Sequence, residues 1–195
     1  MAEKKVKEKL KSKDLQIIQM VNALDDLIQT SNLLSERLDC WSLIPTPKYK
    51  IKPFQNLFSF VNDEIKRLEK QLEIDVKKEA YNTSKIIGPL ISARLIAQAG
   101  GMEKLATMPA STIQLLGAEK ALFRFKKEGG KPPKHGIIFQ HTLINKAPRL
   151  DRGKIARIIA SKIAIAIKAD VFTKRDLSVL LKKDLMERIK KIKNQ

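Results

Sequence analysis

The sequence predicts an all-α protein, with an antiparallel coiled-coil helical arm over residues 1–88 and a compact helical domain over residues 89–195. Three observations predict it. Apolar residues recur at spacings of three and four through two long segments near the N-terminus. A proline-rich turn separates those segments and folds the second back on the first. Beyond Gly88-Pro89, glycine and proline divide the chain into shorter helical patterns, with no repeat of solenoid period.

In chain order, residues 3–13 alternate lysine with few apolar residues and read as a fraying helical start or a basic tail. From Asp14 to Trp41, Ile17, Val21, Leu24 and Ile28 form a stripe that Met20, Leu27, Leu34 and Leu38 widen. Pro45 and Pro47 stop this helix, and Lys48 to Pro53 read as a basic connection. Phe54, Phe58, Val61, Ile65, Leu68 and Leu72 then alternate spacings of four and three, a heptad seam. Helical pattern continues from Asp75 to Ile87, and the domain border falls at Gly88-Pro89.

Leu90 to Ala99 is apolar nearly all round apart from Arg94, the pattern of a buried central helix. Gly100-Gly101 suits a left-handed cap, and Met102 to Met108 is a short helical turn before Pro109. Ser111 with Gln114 reads as a capping box that starts a helix to Leu116 and, after a break at Gly117, to Lys127. Glu128-Gly129-Gly130-Lys131-Pro132-Pro133 is a loop, and His135 to Phe139 a short extended apolar segment. Asp151 is placed to cap a helix with Ile155, Ile159 and Ile163 on one face and Lys154, Arg157 and Lys168 on another. Thr173 with Asp176 opens the last helix, which carries Leu177, Leu180, Leu181, Leu185 and Ile189 before a lysine-rich tail.

The formal net charge is +18 and is unevenly placed. Residues 1–88 hold 16 Lys/Arg against 13 Asp/Glu, whereas residues 89–195 hold 23 against 8, so the second half supplies the anion-binding surface. Cys40 is the single cysteine, which excludes an internal disulfide and, with two histidines, leaves no zinc set. No apolar run approaches the ~20 residues of a membrane span, and no signal core follows Met1. The expected location is cytoplasmic. No catalytic set, metal site or cofactor motif is found: there is no Ser-His-Asp spacing, no carboxylate pair flanking a pocket and no Gly-rich loop ending in Gly-Lys-Ser/Thr.

The stretch Gly117-Ala118-Glu119-Lys120-Ala121-Leu122-Phe123-Arg124 concentrates the chemistry. A glycine at a helix start leaves the first-turn N–H groups open to an oxyanion. Lys120 and Arg124 stand four residues apart and share a face that can reach phosphates along a strand. Leu122 reads as core, and an exposed edge of Phe123 could stack on a base. Across residues 117–168, 13 Lys/Arg face 3 Asp/Glu, the composition of a backbone binder whose affinity falls with salt.

Those two tetrapeptides resemble the Gly-Ala-Glu-Lys and Ala-Leu-Phe-Arg motifs of the Nop domain, found in the archaeal box C/D guide-RNA scaffold protein and its nucleolar and splicing-factor relatives. The likeness extends to Ile87-Gly88-Pro89-Leu90, Ala93-Arg94-Leu95-Ile96, Pro109-Ala110-Ser111-Thr112 and His135-Gly136-Ile137-Ile138-Phe139, and covers roughly residues 10 to 172. It implies a non-catalytic protein that binds a kink-turn RNA together with the ribosomal-protein-like factor seated on it. Gly117, Ala118 and Glu119 would meet that protein. Lys120, Arg124, Gln140, His141, Lys146, Arg149, Lys154 and Arg157 would meet RNA, with Lys104 a weaker candidate. Many relatives carry a base-stacking histidine at the Gln140 position, and here the histidine is His141.

Asn32-Leu33-Leu34-Ser35-Glu36-Arg37-Leu38 and Trp41 resemble the family's dimerising arm, which implies a homodimer. The family's acidic turn after the tryptophan is replaced by Ile44-Pro45-Thr46-Pro47-Lys48. Because the chain begins at the arm, recruitment of the family's methyltransferase is not expected. Two other readings stay open from the residues: a general basic nucleic-acid binder that needs no protein co-receptor, and a coiled-coil interaction protein whose cations only solubilise it.

Overall fold

A computed structural model describes residues 13–45 and 47–193, so most of the N-terminal basic tail and the extreme end of the lysine-rich C-terminus lie outside the described residues. Helix α1 (Lys13–Ser42) and helix α2 (Lys48–Glu79) run antiparallel as an arm. Their pairing follows the predicted stripe, with Val61 and Leu72 of α2 buried and Ile65 and Leu68 packed against the core that Ile17, Val21 and Leu24 enter from α1. Ser31 donates to Asn62 Oδ1 at 3.0 Å across the pair, and Trp41 meets Phe54 edge-on at 5.1 Å near the tip. The predicted connection Lys48 to Pro53 is instead helical, with Pro53 inside the second turn. Pro53 is the sixth residue of the helix, past the four orphan N–H groups, so the helix continues through it at the loss of the one bond an N–H there would make to the Tyr49 carbonyl.

The helical run expected through to Ile87 breaks at Ala80, and helix α3 (Tyr81–Ile87) starts afresh. The cause lies ninety residues away. Asp170, only 3% exposed, accepts from the Asn82 N–H and Nδ2 at 2.8 Å and from the Thr83 N–H and Oγ1 at 2.9 and 2.7 Å. Asn82 passes the tie on, donating to the Arg175 carbonyl and accepting from the Leu177 N–H. A buried carboxylate with no cation beside it among the described residues is held here by four donors.

Helix α4 (Pro89–Ala99) carries the arm on one side and the body on the other, and closes with Gly100 in the left-handed conformation. Helices α5 (Met102–Thr107) and α6 (Ala110–Leu115) follow, then α7 (Glu119–Glu128), a 3-10 turn at Ile137–Gln140, α8 (Thr142–Asn145), α9 (Arg152–Lys168), a π turn at Ala169–Thr173 and α10 (Ser178–Lys193). No strand occurs among the described residues.

The centre of the body is α9, not α4. Ile155, Ile159, Ile163 and Ile167 are fully buried with Ala156, Ala160 and Ala166 between them, and α3, α5, α6 and α10 all touch the helix. Each isoleucine contributes about 1.5–3 kcal/mol on burial, and the alanines let neighbouring backbones approach. Three predicted cap signals are also redistributed. Pro109 rather than Ser111 precedes α6; the Asp151 carboxylate faces Lys154 at 3.6 Å instead of capping; and α10 begins at Ser178, whose N–H and Oγ both reach Asp176 Oδ1. In α10, Leu181, Leu185 and Ile189 are buried while Leu180 is exposed.

Candidate nucleic-acid interface

The stretch that precedes the 3-10 turn is anchored beside the corner between α6 and α7. The Gly136 N–H donates to the Gln114 carbonyl and the Ile137 N–H to the Leu116 carbonyl, both at 2.8 Å. His135 to Phe139 is therefore not the extended segment the sequence predicts, but a brief pairing that turns into 3-10 geometry around the buried Ile138. Gly117 answers it with φ +84°, and a Cβ there would lie 2.5 Å from Ile137 Cγ1. Conformation and space both demand glycine.

The corner itself differs from the open helix mouth expected from sequence. Glu119 turns back so that Oε1 accepts the Gly117 N–H at 2.7 Å, and Gln98 donates to the same oxygen at 3.4 Å. A carboxylate of the chain's own first turn sits where an oxyanion was expected, favoured by the positive helix end. Ala118, the residue before α7, is half-buried, and its N–H bonds the Leu115 carbonyl.

No residue of α7 is buried. Leu122, expected in the core, is half-exposed, and Phe123 is 68% exposed. Lys120 and Arg124 are exposed on one face, followed by Lys126 and Lys127. Among the described residues no ion pair engages these four cations. A basic helix with aromatic surface, standing off the body, presents charge without neutralising it.

Gln140 is exposed, and its Oε1 accepts from Arg94 Nη1 at 2.6 Å; Arg94 also reaches Asp25 of α1 at 3.4 Å. The neighbouring His141 has a local duty, its Nδ1 accepting the Leu143 N–H at 3.4 Å at the start of α8. His135 stacks on Phe139 at 4.3 Å, and the Arg152 guanidinium lies over that same ring at 5.4 Å while donating to the Ala147 and Asn145 carbonyls. Burial holds His141 below the ordinary imidazole range, and burial together with Arg152 and Lys134 does the same for His135.

The unfolded chain therefore binds these protons more readily than the folded one. Stability should fall as pH drops through about 6.5 towards the folded values. Thermal melts from about pH 7.5 to about pH 5 test this, with His135→Gln/His141→Gln expected to flatten the slope. A parallel slope in the double variant would assign the loss to other groups. Asp176 and Asp184, held below the usual carboxylate range by Ser178 and by Lys162 respectively, lose their contribution only lower, below about pH 4.

Of the remaining sequence candidates, Lys146, Arg149 and Arg157 are exposed without an ion pair among the described residues, and Lys154 is paired with Asp151. Lys134 joins two of these segments. Its Nζ donates to the Arg149 carbonyl, its own carbonyl accepts from Gln114, and its aliphatic stem lies against Gly153 at the start of α9. Glu119 and Gln140 meet through α4, by way of Gln98 and Arg94. Sequence reasoning noted Arg94 only as the exception in an apolar helix and within a motif, not as a site residue, and did not single out Gln98, Asp25 or Arg152. A lone arginine in an otherwise apolar helix was the available signal, since a partly buried charge requires partners. No group of three or more His, Cys, Asp or Glu side chains able to hold a metal occurs among the described residues. No helix among them is long and apolar enough to cross a membrane.

Comparison with known proteins gives a consistent answer. Residues 3–191 match the family model described as Nop, snoRNA binding domain, fibrillarin. A NOP5 family protein of Methanocaldococcus jannaschii is 36% identical across the whole chain, which spans 61% of that relative's length. Mouse nucleolar protein 56 is 39% identical over 142 residues, 71% of the chain and 24% of that protein. Among solved structures, a crystal structure of a fibrillarin/Nop5p complex contains a chain that superposes with a TM-score of 0.77 at 31% identity, covering 97% of this chain and 73% of that one.

Proposed function

Because the chain belongs to the Nop domain family, we propose that it is a non-catalytic ribonucleoprotein-binding protein that grips a kink-turn RNA together with a ribosomal-protein-like factor already bound to it. The observation that carries the RNA half of this reading is α7, a basic helix with no buried residue and no ion pair on Lys120 or Arg124 among the described residues. Held charges without counter-ions attract a polyanion, and releasing its condensed cations drives binding. The corner Gly117-Ala118-Glu119 supports the protein half. Its backbone is fixed by Ile137 and its carboxylate by Gly117, so a partner would meet a rigid edge rather than a loop.

Gln140, His141, Lys146, Arg149, Lys154 and Arg157 extend the RNA surface beyond α7 in this reading. The assembly is cytoplasmic in this reading. The arm joins two copies: Leu33, Leu57 and Phe60 remain largely exposed on its outer half, and Leu33, Arg37, Cys40 and Phe54 line a shallow cavity there. Apolar surface of this kind at an arm's end is suited to a partner helix.

The deciding experiment is a gel-shift titration with a kink-turn RNA, alone and with the kink-turn protein prebound, beside an unrelated duplex. Preferential capture of the prebound complex is expected, with Lys120→Ala/Arg124→Ala weakening it about tenfold or more and lowering the slope of log affinity against log salt by about 2. Equal affinity for all three probes would replace the proposal with a general polyanion binder.

A further inference from the structure

Between the base of the arm and the corner at Gly117 lies a cleft of about 390 Å³, lined by Val21, Asn22, Asp25, Arg94, Gln98, Gly117, Ile137 and Gln140 among others. That size falls within the range of small-ligand sites, roughly 300–1,000 Å³. Its chemistry is unlike that of the surrounding surface. The flanking segments are basic and suited to phosphate, yet the cleft holds a half-exposed carboxylate, Asp25, beside the Arg94 guanidinium, and amides on the other walls. A phosphate would be repelled by Asp25. A neutral ligand with donors and acceptors on one edge would not.

The polar groups are loosely committed. Arg94 meets Asp25 at 3.4 Å and Gln98 meets Glu119 at 3.4 Å, both long enough to exchange for a better partner, while Arg94 is aimed by its shorter bond to Gln140. Val21, Ile137 and Gly117 supply an apolar floor. Carboxylate and guanidinium side by side match one nucleobase best. Guanine offers two adjacent donors, N1–H and the N2 amine, to a carboxylate, and its O6 and N7 accept from arginine.

Building on the RNA-binding reading above, we propose that this cleft receives an unpaired guanine of the bound RNA, with Asp25 accepting from its Watson–Crick edge and Arg94 donating to O6. Single-stranded bases are the targets of sequence-specific RNA recognition, because splayed-out edges are free to pair with side chains. Asp25 belongs to α1, so the arm takes part in reading the RNA as well as extending from it.

The test uses the full chain and fluorescently labelled oligouridylates of equal length, carrying at the centre guanine, inosine, adenine, cytosine or uridine, at one salt concentration. The guanine oligomer should bind about tenfold tighter than the uridine one, and inosine, which lacks the N2 amine, should fall between them. Asp25→Asn, which turns one of the two acceptors into a donor facing the guanine N1–H and N2 donors, should erase the difference, its fold checked by circular dichroism. Lys120→Ala/Arg124→Ala should weaken every oligomer alike and preserve the ratio. A ratio of one in the unaltered chain, preference for another base, or a guanine preference that survives Asp25→Asn would overturn the assignment. No binding to any oligomer would overturn this inference alone, because the RNA-binding reading is decided by the kink-turn titration above.

Discussion

Gly136→Ala is expected to destabilise the protein by about 3 kcal/mol or more, and to weaken RNA binding beyond what the lost stability explains. A Cβ at this position would overlap the Leu116 carbonyl oxygen and lie 2.7 Å from its carbonyl carbon. Both atoms belong to backbone, so no side chain can rotate away. The strain must be relieved by parting residues 135–137 from 114–117, which breaks the bonds from Gly136 to Gln114 and from Ile137 to Leu116. Ile137 is also what fills the space above Gly117, so the start of α7 loosens with it. Denaturant titration measures the first effect and RNA titration well below the transition measures the second. Gly153→Ala is the control, because a Cβ there meets only the Lys134 side chain at ordinary contact distance. Comparable losses in the two variants would show that the close approach at Gly136 is not what fixes the corner.

Asp170→Ala should cost a similar amount, about 3 kcal/mol or more, by stranding donors rather than by collision. The Asn82 and Thr83 N–H groups, the Asn82 amide and the Thr83 hydroxyl all end on this carboxylate in a site closed to water. Each unsatisfied buried donor costs about 1–3 kcal/mol, though a relaxing site recovers part of it. For a chain of this size the loss corresponds to a fall in melting temperature of about 6–12 °C. Thr83→Val removes a single donor and should cost about 1 kcal/mol. A melting temperature for Asp170→Ala within a degree or two of the unaltered protein would mean that α3 and the π turn after α9 hold together without this tie.

The arm was legible because its pattern is long and its seam one-sided: Ile17 to Ile28 and Phe54 to Leu72 repeat in a period that only a helix pair satisfies. The centre of the body was not. Leu90 to Ala99 is apolar on most sides and so reads as innermost, yet it divides its burial between arm and body. The true centre, α9, hides behind cations at Lys154, Arg157 and Lys168 that occupy only its outer stripe. Cap signals misled for a different reason. Ser111, Asp151 and Thr173 are competent caps in isolation, but their roles are overridden by Pro109, by a lysine one turn on, and by the π turn that takes in Thr173 and turns its hydroxyl onto the Ala169 carbonyl.

The candidate site was readable as composition and not as geometry. Basic residues in one window announced an anion-binding surface, but the folding back of Glu119 onto Gly117 and the link from Asp25 through Arg94 to Gln140 join residues up to 115 positions apart. No local pattern encodes such distances.

The arm also sets a mechanical scale. Thirty residues of α1, at about 1.5 Å each, make a rod about 45 Å long. Its base rests on α4, where Asp25 meets Arg94, and on the start of α5, where Asp14 accepts the Met102 N–H. From Asp25 to the end of α1 at Ser42 is about 26 Å, so a tilt of about 5° at that contact carries the tip through about 2 Å. The fulcrum and the cleft are therefore one place, and whatever enters beside Arg94 pushes on the short end of a long lever.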